Sequence, residues 1–226
     1  MKKKQLPLIN ICPEPLEIWS EKLDTPLKLA EYALKNIGDN RIDSFIDEVL
    51  EKSNEYKEMK NSMPSKTPEI LEEYQKRYSD FDNKKFSKID NEIKKINAYL
   101  SEGQYLFHGG KWFDNTKKEL ITTRPFSTTF SPHIAVSEAL FKGKAYDNGV
   151  LDLFVIKVKN PKTPVFVYDN KDPDLGREKE VLFASGAKLT LKSIHVIGDN
   201  KVYKSTNGFQ TKSKKVPIRV LEVEIE

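Results

Sequence analysis

The sequence predicts an α+β fold, a helical front followed by a mostly antiparallel β back half, and three observations carry that expectation. Up to about residue 101 the apolar residues recur at helical spacing. From residue 104 onward they gather into short runs with strand-like alternation, and Asn, Asp, Gly, Pro and Lys divide those runs. Helices followed by strands, rather than a regular alternation of the two, separate an α+β arrangement from a parallel α/β one. The expected division is therefore 1–101 as a helical N-terminal region and 102–226 as a β-rich unit. At 226 residues the chain is long enough for either part to bury apolar surface.

In the front half, Leu16, Ile18, Trp19, Leu23, Leu27, Leu29, Ala30 and Leu34 predict a first helix that Gly38 stops. Asn40 is a candidate N-cap for a second helix with Ile42, Phe45, Ile46, Val49 and Leu50 on one face. SMPSKTPE breaks the pattern, and Thr67 followed by Pro68 predicts a third start, carrying Ile70, Leu71 and Tyr74. A fourth helix carries Phe86, Ile89, Ile93, Ile96 and Leu100. These stripes need a partner surface: support for the following region, or a membrane surface or partner protein.

In the back half the expected strands are YLFH, PFSTTF, GVLDLFVIKV, VFVY, EVLFAS, KLTLKSIHVI and IRVLEVEIE. One helix interrupts them, with Ser131 and Pro132 as its capped start, HIAVSEALF as its body and Gly143 as its end.

Composition removes several functions. The single cysteine, Cys12, allows neither an intrachain disulfide nor a cysteine zinc site. Histidines stand only at 108, 133 and 195, without an HExxH pair, so no metal is expected. The net charge of +4 comes from mixed signs, as in KFSKIDNEIKK, which makes nucleic acid an unlikely partner while leaving lysine clusters such as KSKK open. The lysines of MKKKQLPLINICPEPLEIW imitate a signal peptide, but the apolar stretch is short, broken by Pro7 and followed by Glu14 and Glu17. A cytoplasmic protein without a membrane span is expected.

Three segments carry candidate chemistry. In GREKEVLFASG, strand alternation places Glu178 and Glu180 on one face and Lys179 on the other. Two carboxylates there form either a solvated strand end or a pair held at a cleft rim. In YLFHGG, His108 ends an apolar strand before Gly109 and Gly110, and serves either a structural hydrogen bond or a ligand approached closely by backbone. In PFSTTF, Ser127 and Thr129 share one face and Phe126, Thr128 and Phe130 the other, as a polar ligand wall or the wet side of a half-buried sheet.

In this order, a strand ending in a polar anchor and glycine, an aromatic-Ser-Thr-Thr strand, a capped helix and Glu-x-Glu opening VLFASG, the chain resembles the mono-ADP-ribosyltransferase family of bacterial toxins and bacteriophage enzymes. The resemblance covers about 105–198 and is most specific in EKEVLFASGAKLTL. His108 stands where the toxin branch has arginine, and resembles instead the His-Gly opening of the diphtheria-toxin and poly-ADP-ribose polymerase branch. Thr129 stands where the triplet's last serine would be.

The resemblance implies a two-sheet core supporting a helical N-terminal region, NAD as substrate and a target protein as acceptor. It makes Glu180 the carboxylate facing the nicotinamide ribose, where cleavage leaves positive charge. Ser127 would hold Glu180 and the ribose, with Thr129 lining the same wall. Glu178 would orient the acceptor, arginine being favoured because a carboxylate pairs with guanidinium. Leucine at 175, where several toxins place an aromatic, leaves the target open. His108 would bond an adenosine-ribose hydroxyl and Gly109 would let its peptide meet the nicotinamide amide. Imidazole cannot replace the bidentate grip of arginine on a diphosphate. Arg124, or else Arg177, would supply that charge. The alternatives are an NAD glycohydrolase and an inactive interaction module on the same fold.

Overall fold

A computed structural model describes residues 3–78, 80–112, 116–168, 179–206 and 210–226. The front half begins with short strands β1 (Lys4–Gln5), β2 (Leu16–Ile18) and β3 (Glu21–Leu23). Helices α1 (Pro26–Lys35), α2 (Arg41–Lys52), α3 (Asn54–Asn61), α4 (Glu69–Lys76) and α5 (Phe86–Ile96) follow, and β4 (Ala98–Tyr99) closes it. The back half contains β5 (Tyr105–Gly110), β6 (Glu119–Ile121), β7 (Phe126–Thr129), α6 (Pro132–Leu140) and α7 (Lys144–Asn148). It ends with β8 (Leu151–Val158), β9 (Val165–Val167), β10 (Glu180–Phe183), β11 (Lys188–Thr206) and β12 (Gln210–Ile225).

The expected first helix begins ten residues late. Leu16, Ile18 and Leu23 fit a two-residue period as well as a helical one, and residues 16–23 form the β2–β3 hairpin, turning at Trp19 with φ +56°. The helix starts where local chemistry favours it, with the Thr25 hydroxyl accepting from Lys28 N–H and Pro26 at the first position. Asn40 precedes α2 as expected but makes no side-chain cap bond; Asp39 Oδ1 accepts from Arg41 N–H instead. At α4 it is Pro68, not Thr67, that occupies the cap position, its carbonyl accepting from Leu71 and Glu72. The helix expected to reach Leu100 ends at Asn97, whose left-handed φ of +57° turns the chain into β4. Ser131 caps α6 as its sequence predicts, accepting from Ile134 N–H.

Ten strands share one hydrogen-bonded order, β1-β4-β9-β10-β7-β5-β8-β12-β11-β6. Among the described residues only β1–β4 and β8–β12 pair in parallel, so the sheet is mostly antiparallel as expected. In place of the two separate sheets expected there is a seam: β5 meets β7 at the single pair Phe107↔Thr129, while its other edge runs along β8 from Tyr105↔Lys157 to Gly110↔Asp152. Among the described residues Phe107↔Thr129 is the last backbone pair between β5 and β7.

Apolar burial ties the front helices to both halves. One cluster joins Leu29, Ile46 and Leu50 to Phe107, Leu153, Val220 and Ile225. A second joins Leu71, Tyr74, Ile89 and Ile93 to Phe166, Tyr168 and Leu182. The strands expected at 188–197 and 218–226 are the base of a longer β11–β12 ribbon, which continues through Lys201, Lys204, Lys212, Lys214 and Lys215 because Val202 and Val216 still bury one of its faces. Among the described residues no helix is long and apolar enough to cross a membrane.

Candidate active site

The site lies beside the seam. β7 pairs antiparallel with β10 from Glu180↔Thr129 to Phe183↔Phe126. Ser127 is thus a diagonal neighbour of Glu180 on the same face, a separation that side chains can bridge. Its hydroxyl donates to Glu180 Oε1 at 2.6 Å. Glu180 is only 5% exposed, so a carboxylate there interacts with charge more strongly than it would in water. Thr129, directly opposite Glu180, is buried, and its hydroxyl oxygen accepts from Ser131 N–H at 3.1 Å, shaping the turn into α6. Thr128 points to the other face and donates to Val181 O at 2.7 Å.

His108 sits on the far lip of the seam. Its Nδ1 lies 2.7 Å from the Ser127 carbonyl, which can only accept, so Nδ1 carries the proton. Burial among neighbours that include the Phe126 and Phe154 rings pushes the imidazole pKa down to about 4, against the raising effect of that hydrogen bond and with a smaller lowering contribution from Lys144. At neutral pH the ring is therefore uncharged and its Nε2 is an acceptor, suited to a hydroxyl and not to a phosphate. A side-chain bond thus links β5 to β7 one residue beyond their last backbone pair.

The glycines have separate reasons. A Cβ on Gly109 would lie 1.7 Å from Ala135 O, so its bare backbone lets α6 seat on the sheet. A Cβ on Gly110 would lie 2.6 Å from His108 Nε2, so this glycine makes room for the imidazole.

Arg124 is engaged by the front helices. Its Nε and Nη2 donate to the Tyr74 hydroxyl at 3.3 and 3.1 Å, and Nη2 also donates to Tyr78 O at 3.0 Å. The guanidinium lies 4.3 Å from the Tyr78 ring centroid and 5.2 Å from that of Phe86. Burial raises the Tyr78 phenol pKa, Arg124 opposes that shift and Glu180 adds to it, which places all three groups in one electrostatic neighbourhood. Nothing in the spacing of Tyr74 and Tyr78 marks them as partners of an arginine some fifty residues away. Arg124→Ala is expected to lower stability by about 2 kcal/mol through the lost charge-assisted bonds, a fall in Tm of roughly 4–8 °C. Thermal unfolding of the variant checks this; an unchanged Tm would show that Arg124 does not anchor α4 as described.

Glu178, Arg177 and Leu175 lie outside the described residues. The alternation placing Glu178 beside Glu180 requires an extended backbone at Lys179, and that residue has φ +48°. Among the described residues no group of three or more His, Cys, Asp or Glu side chains is placed to hold a metal ion.

No family model and no curated protein matches the sequence. Among solved structures the chain is similar to the ADP-ribosyltransferase Vis, a toxin of Vibrio splendidus, in complex with agmatine: 14% identity over 86% of this chain and 90% of that one, with a TM-score of 0.47. It is similar also to Plx2a, an ADP-ribosyltransferase toxin from Paenibacillus larvae, at 15% identity over 83% and 98% of the two chains and a TM-score of 0.47. C3larvin toxin, an ADP-ribosyltransferase from the same organism, follows at 14% identity, 77% and 94% coverage and a TM-score of 0.39. All three are ADP-ribosyltransferase toxins, and the case for this chain's function rests on the site's own residues.

Proposed function

We propose that the chain transfers ADP-ribose from NAD to a side chain of a target protein, arginine by preference, and releases nicotinamide. One observation carries this reading: a nearly buried carboxylate, Glu180, held by the Ser127 hydroxyl at 2.6 Å beside the seam where β5 and β7 part. Breaking the bond from ribose C1′ to the nicotinamide nitrogen sends the electron pair out with nicotinamide and leaves positive charge on the ribose. A carboxylate fixed by Ser127 stabilises that charge more than it stabilises the neutral ring of the ground state. His108, neutral and with Nε2 free of a proton, suits a ribose hydroxyl across the seam. Gly109 offers a peptide without a side chain, and Thr129 closes the wall behind Ser127.

The acceptor nitrogen then forms the new bond to C1′ and gives up a proton. Glu178 is assigned the task of pairing with the acceptor guanidinium and holding it in line. Glu178→Gln is therefore expected to lower protein transfer while slow NAD hydrolysis survives; equal loss of both activities would mean that the two glutamates act as one unit. The reading as a whole is tested by incubating the purified chain with labelled NAD and a cell lysate, followed by mass spectrometry of labelled protein. A modified arginine supports it. Free ADP-ribose without labelled protein makes the chain a glycohydrolase, and no consumption of NAD makes it a non-catalytic module.

A further inference from the structure

Beside Glu180 stands a residue that strand alternation would assign to an unremarkable back face. The Lys179 side chain is 1% exposed. An ammonium taken out of water is costly unless it is paired and hydrogen-bonded. Here two carboxylates one helical turn apart on α2 meet it: Nζ lies 2.9 Å from Asp43 Oδ1 and 3.0 Å from Asp47 Oδ1. Asp43 Oδ1 also accepts from the hydroxyl of Ser131, the α6 cap, at 2.6 Å. The Lys179 carbonyl accepts from Phe130 N–H at 3.3 Å, one step beyond the Glu180↔Thr129 pair. Three segments, α2, the 130–131 turn and the approach to β10, therefore converge on one lysine.

The backbone shows why such an anchor is needed. Lys179 has φ +48°, a left-handed region that a residue with a Cβ adopts only at an energetic cost. Relaxing it to extended geometry would rotate the first residue of β10, and that residue is Glu180. We propose that Lys179, clamped by Asp43 and Asp47, is a positioning residue that holds this left-handed turn so that the Glu180 carboxylate meets Ser127. The proposal rests on the reading of Glu180 as the reacting carboxylate, and it gives the front helices a task at the site: α2 supplies both acids.

The test compares Lys179→Met, which keeps the length of the side chain and removes its charge, with Lys179→Arg, which keeps the charge. In folded protein Lys179→Met is expected to lower kcat for nicotinamide release roughly 100-fold, the order of loss that a misplacement of about 1 Å produces, with little change in the KM for NAD. Lys179→Arg should recover most of the loss. An unchanged kcat in Lys179→Met, or an arginine variant as slow as the methionine one, overturns the proposal. A crystal structure of Lys179→Met provides a measurement independent of turnover: the contact from Ser127 Oγ to Glu180 Oε1 should open beyond about 3.5 Å, and its survival overturns the proposal. If the unmodified chain releases no nicotinamide, the enzymatic reading fails while the crystal structure still decides the positioning role. If Lys179→Met does not fold, Asp47→Asn takes its place, because Asp47 is 49% exposed and one ion pair remains. An Asp47→Asn variant with both kcat and the Ser127 contact unchanged overturns the proposal.

Discussion

Glu180→Gln is expected to reduce nicotinamide release and protein transfer together by roughly 100- to 1000-fold, equivalent to about 2.7–4 kcal/mol of transition-state stabilisation. The substitution keeps the shape of the side chain, and the amide oxygen of glutamine still accepts from the Ser127 hydroxyl, so the link between β7 and β10 survives. What disappears is the negative charge. It acts from a site 5% exposed, where water screens it little. A change that removes a burial cost without opening a cavity should leave Tm close to that of the unmodified chain. Single-turnover nicotinamide release, measured beside thermal unfolding, separates the two effects. Near-normal turnover in the folded variant would sink the catalytic assignment of Glu180.

The second large effect falls on the scaffold. Gly109→Ala adds one methyl group at a point 1.7 Å from Ala135 O, 2.8 Å from its carbonyl carbon and 2.9 Å from Ala139 N. All three atoms belong to the backbone of α6, so no rotamer change relieves the overlap and the helix has to lift from β5. Overpacking usually costs about 1–3 kcal/mol, and a clash against helix backbone belongs at or above the top of that range. With roughly 2–4 °C of Tm per kcal/mol for a chain of this size, a loss of about 3 kcal/mol lowers Tm by some 6–12 °C. Gly110→Ala is the control. Its added atom meets the His108 ring at 2.6 Å, and a side chain can rotate away. It should melt closer to the unmodified chain. A Gly109→Ala protein with unchanged Tm would show that α6 does not seat on β5 as described.

Much of the site is legible in the sequence because it depends on local pattern. Ser127 and Thr129 alternate along β7, the apolar run after Glu180 forms β10, and Ser131 followed by Pro132 starts α6; each is a matter of spacing and of chemistry within a few residues. The same reasoning fails at residues 16–23, where a short apolar run satisfies two periods and only the pairing of Leu16 with Leu23 selects the hairpin. It fails at Arg124, whose partners Tyr74 and Tyr78 come from α4 and the turn after it, and at Lys179, whose partner Asp43 lies 136 residues away. The left-handed turn at 179 is likewise invisible to strand alternation, which presumes that an extended backbone continues through it.

By itself, then, the sequence determined most of the strands after residue 104, the capped start of α6 and which carboxylate stands at the head of an apolar strand, because periodicity and capping are short-range consequences of backbone geometry. Only the tertiary structure decided that Ser127 donates to Glu180, that His108 is a neutral acceptor at the β5–β7 seam and that Lys179 is buried between two acids of α2. The tautomer and pKa of an imidazole, and the tolerance of a buried ammonium, depend on the groups that fill the few ångströms around them, and chain folding brings those groups from distant parts of the sequence.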